Sequence, residues 1–129
     1  MNDINWSSIR VLVADDDDSA LRLMEGLISK LGCQGTYVKN GMEAVDQCRG
    51  SLFDICFMDI MMPRMGGVEA TQIIRDEGSK DMPVIAITSS NMQATRDKCT
   101  DVGMQDFIVK PVSLEIIKGA IEQYALKLS

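Results

Sequence analysis

The chain is 129 residues long, 46% hydrophobic and 25% charged, with a formal net charge of -6; this is the balance of one folded domain with a continuous core, not of a disordered chain. An acidic surface repels phosphate backbones, which argues against direct nucleic-acid binding. The absence of histidine removes His-based nucleophilic and acid–base mechanisms.

Residues 1–8 form a polar N-terminal extension without the apolar core of a signal peptide. The first strand is expected at residues 9–14, a compact run rich in β-branched side chains. A helix follows, with Leu21, Met24, Leu27, Ile28 and Leu31 at spacings of three and four. Asp17, Asp18 or Ser19 caps its start, and Gly32 suits its end. Residues 34–38 fit a second strand. Asn40 opens the next helix with Glu43 three residues on, the pattern of a capping box, and Ala44, Val45 and Cys48 face inward. The third strand, residues 54–59, is nearly all apolar until it ends on Asp59. Met62–Pro63 and Gly66–Gly67 mark a loop before a helix over 68–77. Asp81, Met82 and Pro83 introduce a fourth strand at 84–88, and a helix over 92–102 closes at Gly103. The fifth strand, 106–109, runs into Lys110–Pro111. Ser113 caps a last helix with Leu114, Ile117, Ile121, Tyr124 and Leu128 on one face.

Five strand–helix units leave no spare segment, so one domain is expected over residues 9–129. Central strands that are apolar on both faces indicate a parallel sheet covered by helices on both sides. Cys33, Cys48, Cys56 and Cys99 include no C-x-x-C pair and read as reduced packing residues in a reducing compartment. No stretch reaches the roughly 18 apolar residues of a membrane span. A cytoplasmic protein with no membrane association is expected.

Polar residues appear abruptly at the carboxyl ends of the strands. Asp15 and Asp16 follow the first, Asp59 ends the third, Thr88 ends the fourth and Lys110 follows the fifth. In an open α/β sheet, ligands bind outside these ends. Capping explains Asp17 and Asp18, each contributing about 0.3–1 kcal/mol at a helix N-terminus. It explains Asp15 and Asp16 less well if they converge on Asp59. Two carboxylates about 4 Å apart repel by roughly 4 kcal/mol at an effective dielectric of 20, so such a site calls for a cation. A hard, oxygen-rich site open to water suits Mg²⁺. Thr88 and Lys110 point to a phosphoryl group: an ammonium and a metal ion neutralise its oxygens, and a hydroxyl bonds one of them. Asp59 is then the nucleophile that forms an acyl phosphate. Three carboxylates, one ammonium and Mg²⁺ sum to about zero charge, a site that need not repel an anionic donor.

The segments VLVADDDDSA, FMDIMMPRMGGVEA, PVIAITSSN and FIVKPVS resemble, in order and spacing, the motifs of response-regulator receiver domains of two-component signalling, the CheY-like family. The resemblance covers about residues 9–126, and MGGVEATQIIR looks most like receivers attached to hybrid sensor kinases. It implies an α/β, flavodoxin-like three-layer sandwich with strand order 2-1-3-4-5. It implies Asp59 as phosphoacceptor, served by a histidine kinase or histidine phosphotransfer protein. Mg²⁺ would be held by Asp16 and Asp59 directly, by Asp15 through water or indirectly, and by the Met61 backbone carbonyl. Thr88 would grip the transferred group, Lys110 would pair with it, and the Lys110–Pro111 bond would be cis. Phe107 stands where such domains often carry a switch tyrosine, and Gly66 where they often carry Asp or Asn. Met61 and Ser90 occupy the two positions that tune hydrolysis of the acyl phosphate. Met61 has no side-chain group to position water, which implies slow hydrolysis. No enzymatic turnover is implied.

The new charge and oxygens on Asp59 would draw Thr88 and Lys110 and reach helix four, strand five and helix five. The face carrying Met92, Thr95, Arg96, Phe107, Val109 and Lys118 would then bind partners or a second copy. Three other readings share parts of this pattern. A flavodoxin-type nucleotide binder needs a Ser/Thr/Gly phosphate loop after strand one, where this chain has four aspartates. An aspartyl-phosphate hydrolase typically has an acid two residues after its nucleophile, where this chain has Met61. A pseudo-receiver that is never phosphorylated is opposed by the complete set Asp15, Asp16, Asp59, Thr88 and Lys110.

Overall fold

The apolar runs become the strands of one sheet. In the computed structural model, which describes residues 5–125, β1 (Arg10–Ala14), β2 (Gln34–Val38), β3 (Ile55–Asp59), β4 (Val84–Thr88) and β5 (Asp106–Val109) are parallel, in the order β2-β1-β3-β4-β5. Helices α1 (Asp18–Leu31), α2 (Gly41–Gly50), α3 (Gly67–Asp76) and α4 (Gln93–Asp101) make the crossovers, and α5 (Leu114–Tyr124) follows the last strand. Side chains alternate across a strand, so each central strand feeds two cores. Leu12, Cys56, Met58, Val84 and Ala86 pack under α2 and α3, with Ala44, Val45, Ala70 and Ile74. Val11, Val13, Ile55, Phe57, Ile85 and Ile87 pack under α1 and α5, with Met24, Ile28, Ile117 and Ile121. β3 and β4 are buried along their whole length, as strands covered on both faces must be.

Local chemistry sets the element ends. Asp17 caps α1 by accepting the Ser19 N–H, and Gly32 closes it at φ 87°, a left-handed conformation that favours glycine. Asn40 caps α2 by accepting the Glu43 N–H, but Glu43 answers to Lys39 N rather than to the cap residue itself. The box therefore closes one residue earlier than expected. Ser113 caps α5 through the Ile116 N–H. The other boundaries fall within about a residue of the sequence expectation, the scatter usual at frayed ends, but α5 ends at Tyr124, short of the Leu128 expected on its face. The described part of the N-terminal extension includes a 3-10 turn at Trp6–Ser8; Leu128 lies outside the described residues. Cys33, Cys48, Cys56 and Cys99 are all free, and burial raises each thiol, Cys33 and Cys48 to about 11. Among the described residues, no helix is long and apolar enough to cross a membrane.

Candidate functional site

At the carboxyl rim of the sheet the chain leaves β1 and β3 on aspartates. The Asp15 N–H donates to Val38 O at 3.0 Å, and its Oδ1 accepts the Asp17 N–H at 3.0 Å. The Asp59 Oδ1 accepts the Met61 N–H at 3.2 Å. These backbone bonds aim both carboxylates into the rim. Asp15 and Asp59 are buried, at 4% and 6% exposure, while Asp16 is exposed. One carboxylate oxygen from each of the three comes within 4.8 Å of the others. From β5, the Lys110 Nζ lies 2.9 Å from Asp15 Oδ2 and 3.2 Å from Asp59 Oδ2. Lys110 is anchored by its own N–H, which donates to Thr88 O at 2.7 Å, and the following peptide to Pro111 is cis.

Thr88 ends β4 beside β3, where Asp59 registers with Ile87. Its Oγ1 is buried and accepts the Ser90 N–H at 3.1 Å. The hydroxyl proton is left over for a further acceptor. Met61, two residues past Asp59, is 77% exposed. Phe107 is not at the carboxylates. It sits half-buried on the α4–β5 side, packed against the α2–α3 core, with the Arg96 guanidinium 4.5 Å from its ring centroid.

Electrostatics follow from this placement. Burial raises the Asp59 carboxyl, the Asp15 charge raises it further, and Lys110 only partly offsets them, leaving it at about 6. Burial lowers the Lys110 ammonium, but hydrogen bonds and charge from Asp15 and Asp59 outweigh this and hold it above its ordinary value. The site thus concentrates more negative charge than one ammonium balances. An all-oxygen donor set of two buried carboxylates and one exposed carboxylate fits a hard divalent cation.

Gly67 opens α3 directly behind the end of β3. A Cβ there would collide with the Asp59 carbonyl oxygen and stand 2.8 Å from Met58 Cγ. Gly67→Ala is therefore expected to lose about 1–3 kcal/mol in urea titrations, as overpacked sites do, and to displace the Asp59 backbone.

The sequence reading missed a groove of about 420 Å³ beside the carboxylates. Ala20, Leu23, Met24, Ile87, Pro111 and Val112 give it apolar walls, and Asp15, Ser89 and Lys110 a polar lip. Leu23, 46% exposed, was the available signal: it is apolar yet lies off the core-facing stripe of α1. A second cavity, of about 360 Å³, is lined by Leu52, Phe53, Lys80 and Pro83 near the amino-terminal ends of β3 and β4, remote from this chemistry.

A five-stranded parallel sheet in this order, with an acidic cluster and a lysine at its carboxyl rim, defines the class of CheY-like, flavodoxin-fold domains. The chain belongs to the response regulator receiver domain family, whose defining pattern matches residues 11–122. It is 33% identical over 120 residues to hybrid signal transduction histidine kinase G of Dictyostelium discoideum, a match covering 90% of this chain and 4% of that protein. It is 33% identical over 115 residues to sensor histidine kinase RcsC of Escherichia coli, covering 89% of this chain and 12% of that one. The chain thus spans a small fraction of the curated relatives it matches. Among solved structures, a TM-score of 0.86 relates it to the receiver domain of a Pseudomonas aeruginosa sensor histidine kinase, 27% identical over 92% of this chain and 98% of that one. That crystal structure has a magnesium ion coordinated in its active-site cleft. Another match, also with a TM-score of 0.86, is the receiver domain of a Saccharomyces cerevisiae response regulator, co-crystallised with a histidine phosphotransfer protein. It is 26% identical and covers 93% of this chain and 90% of that one.

Proposed function

We propose that this domain is a phosphoacceptor of a two-component phosphorelay: Asp59 takes a phosphoryl group from the phosphohistidine of a kinase or phosphotransfer protein, in a Mg²⁺-dependent reaction. The observation that carries this is the meeting of Asp15, Asp16 and Asp59 within 4.8 Å, with Lys110 Nζ bonded to two of them. An Asp59 carboxylate oxygen attacks phosphorus, an O–P bond forms, and the P–N bond to the donor histidine breaks with its electron pair on nitrogen. Lys110 turns from Asp15 and Asp59 to the new phosphoryl oxygens, and Thr88 donates its remaining proton to one of them. Asp15, Asp16, Asp59 and the Met61 carbonyl would hold Mg²⁺. When bound, the ion supplies charge neutralisation for the transferring group. Met61 offers no group to position a hydrolytic water, which supports a long-lived acyl phosphate and a signalling role rather than turnover.

The test is intact mass after incubation with acetyl phosphate. A gain of one phosphoryl group with Mg²⁺, absent with EDTA, is expected; no gain under either condition would overturn the proposal. The apolar groove beside α1 suits the helical surface around a donor phosphohistidine. Leu23→Glu is expected to slow transfer from a phosphorylated phosphotransfer protein by at least tenfold and to leave uptake from acetyl phosphate unchanged. The signal leaves through the face bearing Met92, Thr95, Arg96, Phe107, Val109 and Lys118, which docks a downstream partner or a second copy. This scheme places the domain in the cytoplasm.

A further inference from the structure

Helix α4 is held unevenly. Its first turn has no side-chain cap, and Cys99 is its only buried residue. Its middle touches β5 through Arg96, which covers the Phe107 ring from an exposed position. Its far end is different. Val102 leads into Gly103 at φ 89°, and the Gly103 carbonyl accepts two bonds from Arg75 at the end of α3, from Nε at 3.2 Å and Nη2 at 2.8 Å. The same guanidinium donates to Ser79 O at 2.6 Å and to Gln105 Oε1 at 3.1 Å. Gln105 Oε1 also accepts the Val84 N–H at 2.7 Å. One side chain thereby ties the end of α3, the α3–β4 turn, the α4–β5 turn and the start of β4. Hydrogen bonds from an ionised donor are stronger than neutral ones, and burial holds Arg75 below the ordinary arginine value, the mark of a desolvated tether. The amino-terminal end of α4 is instead linked to Thr88 by a short local chain, Met92 N–H to Ser90 Oγ at 3.2 Å and Ser90 N–H to Thr88 Oγ1 at 3.1 Å, which makes it the part placed to follow Thr88.

We propose that Arg75 is the positioning residue that fixes the carboxyl end of α4, so that the helix tilts about Gly103 instead of shifting as a whole. At about 1.5 Å per residue, nine residues give a lever of about 13 Å. A small rotation at Gly103 becomes a large displacement beside Thr88 and slides Arg96 off Phe107. The uneven anchoring stands on the resting structure. The trigger of the tilt rests on the phosphoacceptor reading.

Amide hydrogen exchange of the whole chain tests the anchor without phosphorylation. In the unmodified protein, the amides of Arg96 and Asp97 are expected to exchange at least tenfold faster than those of residues 99–102. Arg75→Met keeps an unbranched apolar stem and removes the bonds. It is expected to raise exchange at residues 99–105 at least tenfold, with β1 and β3 unchanged. Arg75→Lys, which keeps a charged donor, gives an intermediate rise confined to the same residues and decides the matter if the Met variant does not fold. Unchanged exchange in these variants, or a uniform rise across the domain, would overturn the proposal. Beryllofluoride with Mg²⁺ supplies the second arm. Amide shifts are expected at residues 88–97 and 107 in the unmodified protein, and to spread through 99–105 once the clamp is gone. Shifts already spread through 99–105 in the unmodified protein would also overturn it. Failure of the unmodified protein to bind beryllofluoride sinks the phosphoacceptor reading, and exchange then judges the clamp alone.

Discussion

Asp59→Asn is expected to fold, to take up no phosphoryl group from acetyl phosphate, and to be more stable than the parent at pH 7.5 in EDTA. Loss of uptake follows from removing the nucleophilic oxygen while keeping the shape of the side chain. The gain in stability follows from the resting electrostatics. Burial and the Asp15 charge hold the folded carboxyl at about 6, above the ordinary value of 3.8 that the unfolded chain is expected to keep. Between these values the folded state binds the proton more tightly than the unfolded state does. The unfolding free energy therefore falls as pH rises from about 4 to about 6, and the cost persists above. The difference between the folded and unfolded carboxyl is worth roughly 3 kcal/mol at most, which solvent screening reduces to about 1–2 kcal/mol. Asparagine stays neutral, so it lacks this cost. Urea titrations at pH 7.5 and pH 4 check the sign: the advantage of the variant should be present at the first and gone at the second. An advantage that grows on acidification would show that Asp59 is stabilised by its surroundings, not strained by them.

Why so much of the site could be read beforehand is a matter of where polar residues interrupt apolar ones. Asp59 follows four buried residues of β3, and Thr88 follows four of β4. A strand buried on both faces has no reason to end on a carboxylate or a hydroxyl unless something waits at its tip. Asp15, Asp16 and Lys110 follow the same logic. Strand order did not: periodicity gives parallel strands, but whether β2 or β3 lies beside β1 on a given side came only with the family resemblance, and the observed pairing bears it out. Contacts between distant residues were out of reach. Arg75 reads as one more basic residue near a helix end, yet it closes on Gly103, 28 residues away. Lys110 was expected to await a phosphoryl group; in the resting fold it is already engaged by both Asp15 and Asp59. Phe107, expected as a switch, lies under Arg96, a stacking that sequence spacing alone does not show.

That resting engagement makes Lys110→Ala the converse experiment. The Lys110 side chain is 27% exposed, whereas those of its partners Asp15 and Asp59 are 5% and 8% exposed. Breaking a buried pair by removing one member costs about 3–5 kcal/mol, because the other charge stays behind. Partial exposure of Lys110 reduces this to about 2–3 kcal/mol at pH 7.5 in EDTA. The folded ammonium pKa is raised, so in the parent this contribution is fully present below about 10.4, the unfolded value, and is lost as pH rises through the folded one. The deficit of the variant is therefore constant through neutral pH on the lysine side and shrinks only as Asp59 protonates below about 6. Two further changes should recover most of it. Asp59→Asn in the same chain removes one orphaned charge, and the double-mutant cycle gives the coupling directly. Mg²⁺ at tenfold its dissociation constant returns about 1.4 kcal/mol by mass action. A Lys110→Ala protein as stable as the parent in EDTA would mean that Asp15 and Asp59 tolerate each other without a cation. The electrostatic case for a metal-dependent phosphoacceptor would then lose its footing.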